Sequence, residues 1–432
     1  MLAGGESWPK ESRIRRSEAT NTGSRLTSPN SATSCSAPKT SPKPRNLSWR
    51  GRGASRWTWR IGVSGHPTPL SSPVFLGAKR LTGRSHAGYY LSFDIMADVV
   101  FGAHYNLLQN ERFRYVVESI DKSNVRMSCL IQFPEFARLK IDKYIFRQAI
   151  VARNRFIKFV TRVVGERLGK IATENPDKIK TEDADVFGNL AAAKDPETGE
   201  GFTLNEIAAE STTLVVAGAD TSSVAFAAML FYLADNRNAY DRAAAEVRSK
   251  FQSPGDIAMG SDLASCNYLY ACINEALRMS PPVGLALWRE VATGNFVVDG
   301  QAVEAGCDVG VPLYSIHHDP KYYSEPFEYR PERWLVDDGT GSVERARSAF
   351  NPFSVGMRSC LGKSLALTEM ALTAATILLT GDFRFAEGPK RLVGRGRKEG
   401  AWGRHRDNEY QLFDHITGQK DGPFLQFSRR LV

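Results

Sequence analysis

The sequence predicts a mainly α-helical protein with a small antiparallel β region, beginning near residue 86. Three observations predict it. Apolar residues recur at helical spacing in six segments between Tyr89 and Gly381. Short runs rich in Val and Phe flank the dipeptide Asp299-Gly300, a hairpin signal. The first 85 residues carry no apolar period.

That leader is set apart by composition. Residues 1–60 hold 12 Lys and Arg against three Glu, which accounts for the whole formal charge of +9 carried by the 432 residues. The remainder balances, with 44 basic and 44 acidic side chains, and gives no ground for nucleic-acid binding. A Ser-, Thr-, Pro-, Gly- and Arg-rich segment cannot bury enough surface to offset the entropy of ordering. Residues 1–85 are therefore expected to be a disordered basic leader, and 86–432 the folded domain. No apolar run of bilayer length occurs in the leader, and the longest apolar stretch, near Val224 to Leu233, is too short to span one. The six cysteines (Cys35, Cys129, Cys266, Cys272, Cys307 and Cys360) form no CxxC pair. This argues against a disulfide framework or a zinc site and fits a reducing compartment.

The elements follow in order. "YYLSFDIMADVVFG" reads as an amphipathic helix from Tyr89 to about Gly102, and helical spacing returns across 141–170. An Asp- and Lys-rich loop follows. Thr203-Leu-Asn-Glu206 is a capping box that opens a helix running through Leu233. At more than 30 residues it is about 45 Å long, and its apolar faces require it to cross the interior. Helices over 238–251 and 262–279 come next, the second stopped by Pro281-Pro282. "NFVV", "QAV" and "CDVGVPLYSI" read as short strands. A last strong helix starts at Cys360 and ends before Gly381.

Three places break local rules. "AGADTSS" (217–223) puts Gly218 inside the long helix, at a cost of about 1 kcal/mol against Ala. Asp220 and Thr221 share that apolar setting. Two accounts stand: a small residue admits a crossing helix while Thr bonds back to the preceding turn, or the glycine opens a groove where Asp220 and Thr221 handle protons. Glu275 and Arg278 sit three apart on an otherwise apolar helix, an ordinary surface pair unless it is buried. A buried pair needs a third polar partner, and Arg333 in "RPERW" offers one. Finally, "PFSVGMRSCLG" (352–362) places Cys360 among glycines beside Arg358. A thiolate there would be stabilised by a helix N-terminus, and Gly356 and Gly362 would let the backbone approach a flat cofactor.

Phe353-x-x-Gly356-x-Arg358-x-Cys360-x-Gly362 resembles the heme-binding loop of the cytochrome P-450 (heme-thiolate monooxygenase) family. At average residue usage this pattern has a chance rate of roughly 10⁻⁴ over the chain. "AGADTS" resembles the family's oxygen-activating stretch, and Glu275-x-x-Arg278 followed by "PERW" resembles its Glu–Arg–Arg structural triad. The resemblance spans about residues 89–432. Wording such as "IHHDPKYYSEPFEYRPERWL" and "EYQLFDHITGQKDGP" is most similar to filamentous-fungal members of secondary metabolism.

The resemblance implies an N-terminally truncated cytochrome P-450 fold and heme b (iron protoporphyrin) bound through Cys360, the metal ligand. It implies that Phe353 shields the sulfur, that Gly356 and Gly362 allow close approach, and that Arg358 and Arg289 pair with the propionates. Ala217 and Gly218 would leave room for O2, and Asp220 and Thr221 would deliver protons. Glu275, Arg278 and Arg333 would be scaffolding. A small hydrophobic substrate would meet Ala208 to Val216, Val283 to Leu287 and the turn near His415 to Thr417. Electrons would come from an NADPH-dependent flavoprotein reductase docking near Arg358 and Lys363. The family's usual place is the endoplasmic reticulum membrane surface; a chain without an anchor would be cytoplasmic. Residues 1–85 depart from the family pattern, with no counterpart of its Trp-x-x-x-Arg helix: Trp57 and Trp59 have the wrong spacing. Two alternatives stand beside the enzyme: an inactive relative with weak or no heme binding, and a non-enzymatic helical protein in which these motifs are scaffolding.

Overall fold

The computed structural model describes residues 86–173, 185–195, 197–292 and 296–430. They belong to one unit, Thr58–Val432; the leader's expected disorder falls on residues 1–85, outside the described residues. Among the described residues the helices of seven residues or more are α1 (His86–Phe101), α2 (Arg114–Gln132), α3 (Arg147–Thr173), α4 (Val186–Ala192), α5 (Leu204–Asp235), α6 (Arg237–Lys250), α7 (Asn267–Met279), α8 (Ser342–Ser348) and α9 (Lys363–Thr380).

α5 organises the rest. Its capping box forms as expected: the Thr203 hydroxyl accepts the Glu206 N–H at 3.3 Å, and the Glu206 carboxylate accepts the Thr203 N–H at 2.8 Å. The first half of α5 contributes Ile207, Val215 and Ala219 to a core built from α1, α2, α3 and α4. Its second half, Ala225 to Leu233, enters a different core with α6, α7 and α9. α1 lies along α5, with Gly88 facing it: a β-carbon there would make ordinary contact, 3.6 Å from the Ser223 carbonyl oxygen.

The β region is minor, as the sequence predicts. Four two-stranded antiparallel pairs are described: β1 (Arg289–Glu290) with β4 (Asp308–Val309), β2 (Phe296–Val298) with β3 (Gln301–Val303), β5 (Gly381–Phe385) with β8 (Leu425–Arg429), and β6 (Leu412–Phe413) with β7 (Gln419–Lys420). Asp299 and Gly300 both take positive φ (49° and 76°), the hairpin turn expected between β2 and β3.

Several boundaries differ from expectation. The helix expected over 141–170 breaks at Phe146 (ψ 38°) into a short turn, Asp142–Ile145, and α3. The one expected over 262–279 breaks at Cys266, because the Glu246 carboxylate of α6 caps α7 by accepting the Tyr268 and Leu269 N–H groups at 3.1 and 2.9 Å. Only Asp308–Val309 of "CDVGVPLYSI" pairs as strand; beyond Pro312 the chain turns helical over Leu313–His317 and buries Leu313. α9 begins at Lys363, not at Cys360.

Candidate active site

The cysteine loop is closed by its own backbone. The Cys360 N–H donates to the Phe353 carbonyl at 2.8 Å, and the Ser359 N–H to the Gly356 carbonyl at 3.1 Å. The turn runs through the left-handed region twice, at Ser354 (φ 59°) and Gly356 (φ 74°); glycine meets the second at no steric cost. A β-carbon on Gly362 would lie 3.8 Å from the Cys360 sulfur. Cys360 is exposed and just ahead of α9 rather than within it. Its neighbours Met357 and Leu361 are 96% and 86% exposed. Large apolar side chains gathered in water around a thiol mark a surface that something else covers. Phe353 is half-buried, packs on the α5–α9 core, and carries the Lys363 ammonium 6.0 Å from its ring centre.

The loop rests on a buried ionic scaffold, and here the structure brings Glu275, Arg278 and Arg333 together. Glu275 and Arg278 are both fully buried. The Arg278 guanidinium grips the Glu275 carboxylate with both arms, at 2.8 and 3.0 Å, and the Arg333 Nε donates to it at 2.8 Å. The Trp334 indole and the Arg330 N–H complete the shell, both at 2.9 Å. Burial pushes the Glu275 carboxyl up, but Arg278 and Arg333 outweigh it and hold it below the usual range. The spare Arg278 arm donates to the carbonyls of His317 and Pro326, each at 2.7 Å. His317 in turn reaches the cysteine loop: its Nε2 accepts the Asn351 N–H at 3.1 Å. Burial, then Arg278, lowers the His317 imidazole to about 4, so it is neutral and free to accept. The same short turn supports the expected substrate stretch, since the Tyr314 N–H donates to the Gly284 carbonyl at 3.1 Å.

On α5, Ala217 is exposed, and Thr221 donates back to the Ala217 carbonyl at 2.7 Å. The space expected over a heme at Gly218 is filled instead: a β-carbon there would lie 2.4 Å from the Met96 sulfur of α1. The crossing-helix account therefore holds at Gly218. Asp220, one residue before Thr221 and so on another face of the helix, is 4% exposed. It accepts from Asn124 of α2 at 2.9 Å and from the Thr417 hydroxyl. Two expected substrate segments meet beside it, because the Gly418 N–H donates to the Pro282 carbonyl at 2.7 Å. One residue past Thr221, the Ser222 hydroxyl donates at 3.0 Å to Glu369 of α9, tying the helix behind Cys360 to the middle of α5.

Arg289 and Arg358 are both exposed. Arg289 bonds only to carbonyls of its own turn, Trp288 at 2.8 Å and Leu287 at 3.4 Å, and Arg358 has no side-chain partner among the described residues. Thr417 lies in an expected substrate turn, but its bond to Asp220 was not foreseen; Asn124, Lys420, Ser222, Glu369 and His317 were not legible as site residues, since no spacing rule reports partners 34 to 197 positions apart.

A family model described as Cytochrome P450 matches residues 86–393. The chain belongs to the cytochrome P450 family. A cytochrome P450 monooxygenase from Gibberella zeae is 52% identical to this P450 chain over 341 residues, 79% of this chain and 76% of that protein. The monooxygenase AKT7 from Alternaria alternata is 45% identical over 347 residues, and the match covers 65% of its length. The monooxygenase apf8 from Gibberella fujikuroi is 46% identical over 344 residues, 90% of its length. The crystal structure of a cytochrome P450DA heme domain shares the fold, with a TM-score of 0.60 at 18% identity, covering 81% of this chain and 69% of that one. The expected kinship with fungal members is borne out, and by family this P450 is a heme-thiolate monooxygenase. Among the described residues no group of three or more His, Cys, Asp or Glu is placed to hold a metal ion. A metal at Cys360 would thus bring other ligands with it, as a porphyrin does. The exposed Cys360 thiol, its uncovered apolar surround, and Arg289 and Arg358, which have no carboxylate partner among the described residues, fit a flat apolar cofactor with an acidic edge. α5 and α9 are long and apolar enough to cross a membrane, but the apolar 18-residue stretch of each is 67% buried within the protein, as in core helices.

Proposed function

We propose that this chain inserts one atom of O2 into a small lipophilic, secondary-metabolite-like substrate, using heme b and electrons from an NADPH-dependent flavoprotein reductase. The observation that carries the reading is the exposed Cys360 in a loop closed on Phe353 and held, through His317, by the Glu275–Arg278–Arg333 cluster. When bound, a thiolate-ligated heme supplies the oxygen-activating chemistry.

The chain's own residues divide the remaining work. Cys360 presents the sulfur, with Gly362 clear of it. Arg358 and Arg289 offer guanidinium groups for the propionates. Thr221, on the face that Ala217 leaves open, holds a hydroxyl where oxygen is handled, and Asp220 behind it holds a carboxylate to replenish protons. The segments at 283–287 and 415–417 adjoin the Pro282–Gly418 hydrogen bond, the second reaches Asp220 through Thr417, and both suit an apolar ligand. Arg358 and Lys363 give the cysteine side a positive face for an acidic reductase. The endoplasmic reticulum membrane surface is the setting in which such a partner is met.

The test is the Soret band of the reduced, CO-bound full chain reconstituted with heme. Thiolate ligation gives a strong red shift, and Cys360→Ser is expected to abolish it while leaving the fold intact by circular dichroism. A full shift in Cys360→Ser, or none in the wild type, overturns the reading.

A further inference from the structure

Behind Asp220 lies a second set of charged groups that the proposed chemistry does not use. Lys420, on β7, donates to the Ser223 hydroxyl at 2.7 Å, and that hydroxyl donates to the Asp220 backbone carbonyl at 2.6 Å. The Lys420 ammonium stands 4.8 Å from the centre of the Tyr89 ring. Tyr89 is 1% exposed, so this cation is held against a buried aromatic face. Two carboxylates act on it, Asp220 from α5 and Asp121 from α2. Asp121 has a further neighbour nearer solvent, His86 of α1 at 3.9 Å, and both side chains are 27% exposed. The hairpin that carries Lys420 is the one whose Thr417 donates to Asp220 and whose Gly418 is tied to Pro282.

A lone lysine in such a place is costly, and two lone carboxylates would be costlier. Burial lowers the Lys420 ammonium while both aspartates pull it back up. Burial pushes the Asp121 carboxyl up to about 6, against the pull of Lys420 and with the help of Asp220. The other titratable groups facing this set are Tyr89 and His86 from α1, Glu118 from α2, and His415 with Asp414 from the hairpin.

We propose that Lys420 is a positioning residue for the Asp220–Thr221 pair: its ammonium, bound through the Ser223 hydroxyl to the Asp220 backbone carbonyl and held against the Tyr89 ring, seats the substrate-facing hairpin on α5. The role assigned to Asp220 rests on the monooxygenase reading, but the seat of the ammonium does not. Lys420→Met takes away the ammonium whose pull opposes the effect of burial on Asp121. The Asp121 carboxyl then holds its proton to higher pH, so the folded variant resists an ionisation that the unfolded chain undergoes freely.

The test uses the full chain and two readouts. First, thermal unfolding is followed from pH 5 to pH 8. Lys420→Met is expected to lose more stability at pH 8 than at pH 5, Lys420→Arg to restore the wild-type profile, and Asp121→Asn placed on Lys420→Met to remove most of the pH-dependent part. A loss equal at every pH, or one that Asp121→Asn does not relieve, overturns the proposal in favour of simple packing. Second, in heme-loaded protein whose reduced CO band is intact, the share of NADPH electrons released as peroxide is expected to rise at least threefold in Lys420→Met. An unchanged share overturns the positioning role while the band keeps the monooxygenase reading standing. Should Lys420→Met fail to fold, Ser223→Ala removes the seat of the ammonium and is expected to raise the peroxide share in the same direction; no rise there overturns the proposal.

Discussion

Met96 and Gly218 show how one contact decides between two accounts of a residue. A glycine in the middle of a long apolar helix fits either a ligand groove or a close helix crossing, and the thioether of Met96 occupies the disputed space. Gly218→Ala is therefore expected to destabilise by about 1–3 kcal/mol through overpacking, less the ~1 kcal/mol that Ala gains over Gly in a helix. With Met96→Ala alongside, that penalty should vanish. Urea unfolding of the two single variants and the double variant closes the cycle, and additive losses would show that the two side chains do not compete. Ala217 and Thr221 behave differently, since their face is left open and their neighbour Asp220 points into protein.

At the scale of elements, the junction of α5 and α9 turns on Glu369, which accepts from Ser222. Burial, only partly offset by the Ser222 and Ser92 hydroxyls, holds its carboxyl up at about 8, so it is protonated at neutral pH. In the unfolded chain it gives up that proton near 4.5. Between those values the unfolded state binds fewer protons, so stability falls as pH rises, by at most about 1.4 kcal/mol per pH unit. Glu369→Gln is expected to flatten chemical-denaturation stability between pH 5 and pH 8. A residual slope in its lower part belongs to Asp94 and Asp121, which burial pushes up to about 7 and about 6; an unaltered slope would show that Glu369 is not the titrating group. Elements of this kind were legible in part. The ends of α1, α5 and α9 followed from Gly102, the Thr203 box and Gly381, because caps are local chemistry. The break at Cys266 was not, because the cap comes from Glu246 on another helix. α2 and α4 escaped too: α2 buries only Val116, Val117, Ser119 and Ile120, and α4 is seven residues long.

At the scale of the molecule, the motif spacings Glu275-x-x-Arg278 and Phe353 to Gly362 were readable because each is confined to a few residues. What they support was not, since it depends on chain brought together from 317 to 351. Glu275→Gln leaves Arg278 and Arg333 as buried cations without a counter-charge, a loss of about 3–5 kcal/mol. The expected outcome is a lower thermal midpoint together with weaker heme retention, read by gel filtration of reconstituted protein. A variant that unfolds earlier yet retains heme as tightly would separate the scaffold from the loop. The way α5 lends one end to each of two cores has a consequence of its own. It is an axle through two hubs, and neither hub can be unscrewed without letting go of the other. The packing behind the thiol loop and the packing beside Asp220 thus share one shaft, and a loosening at either end is passed along it.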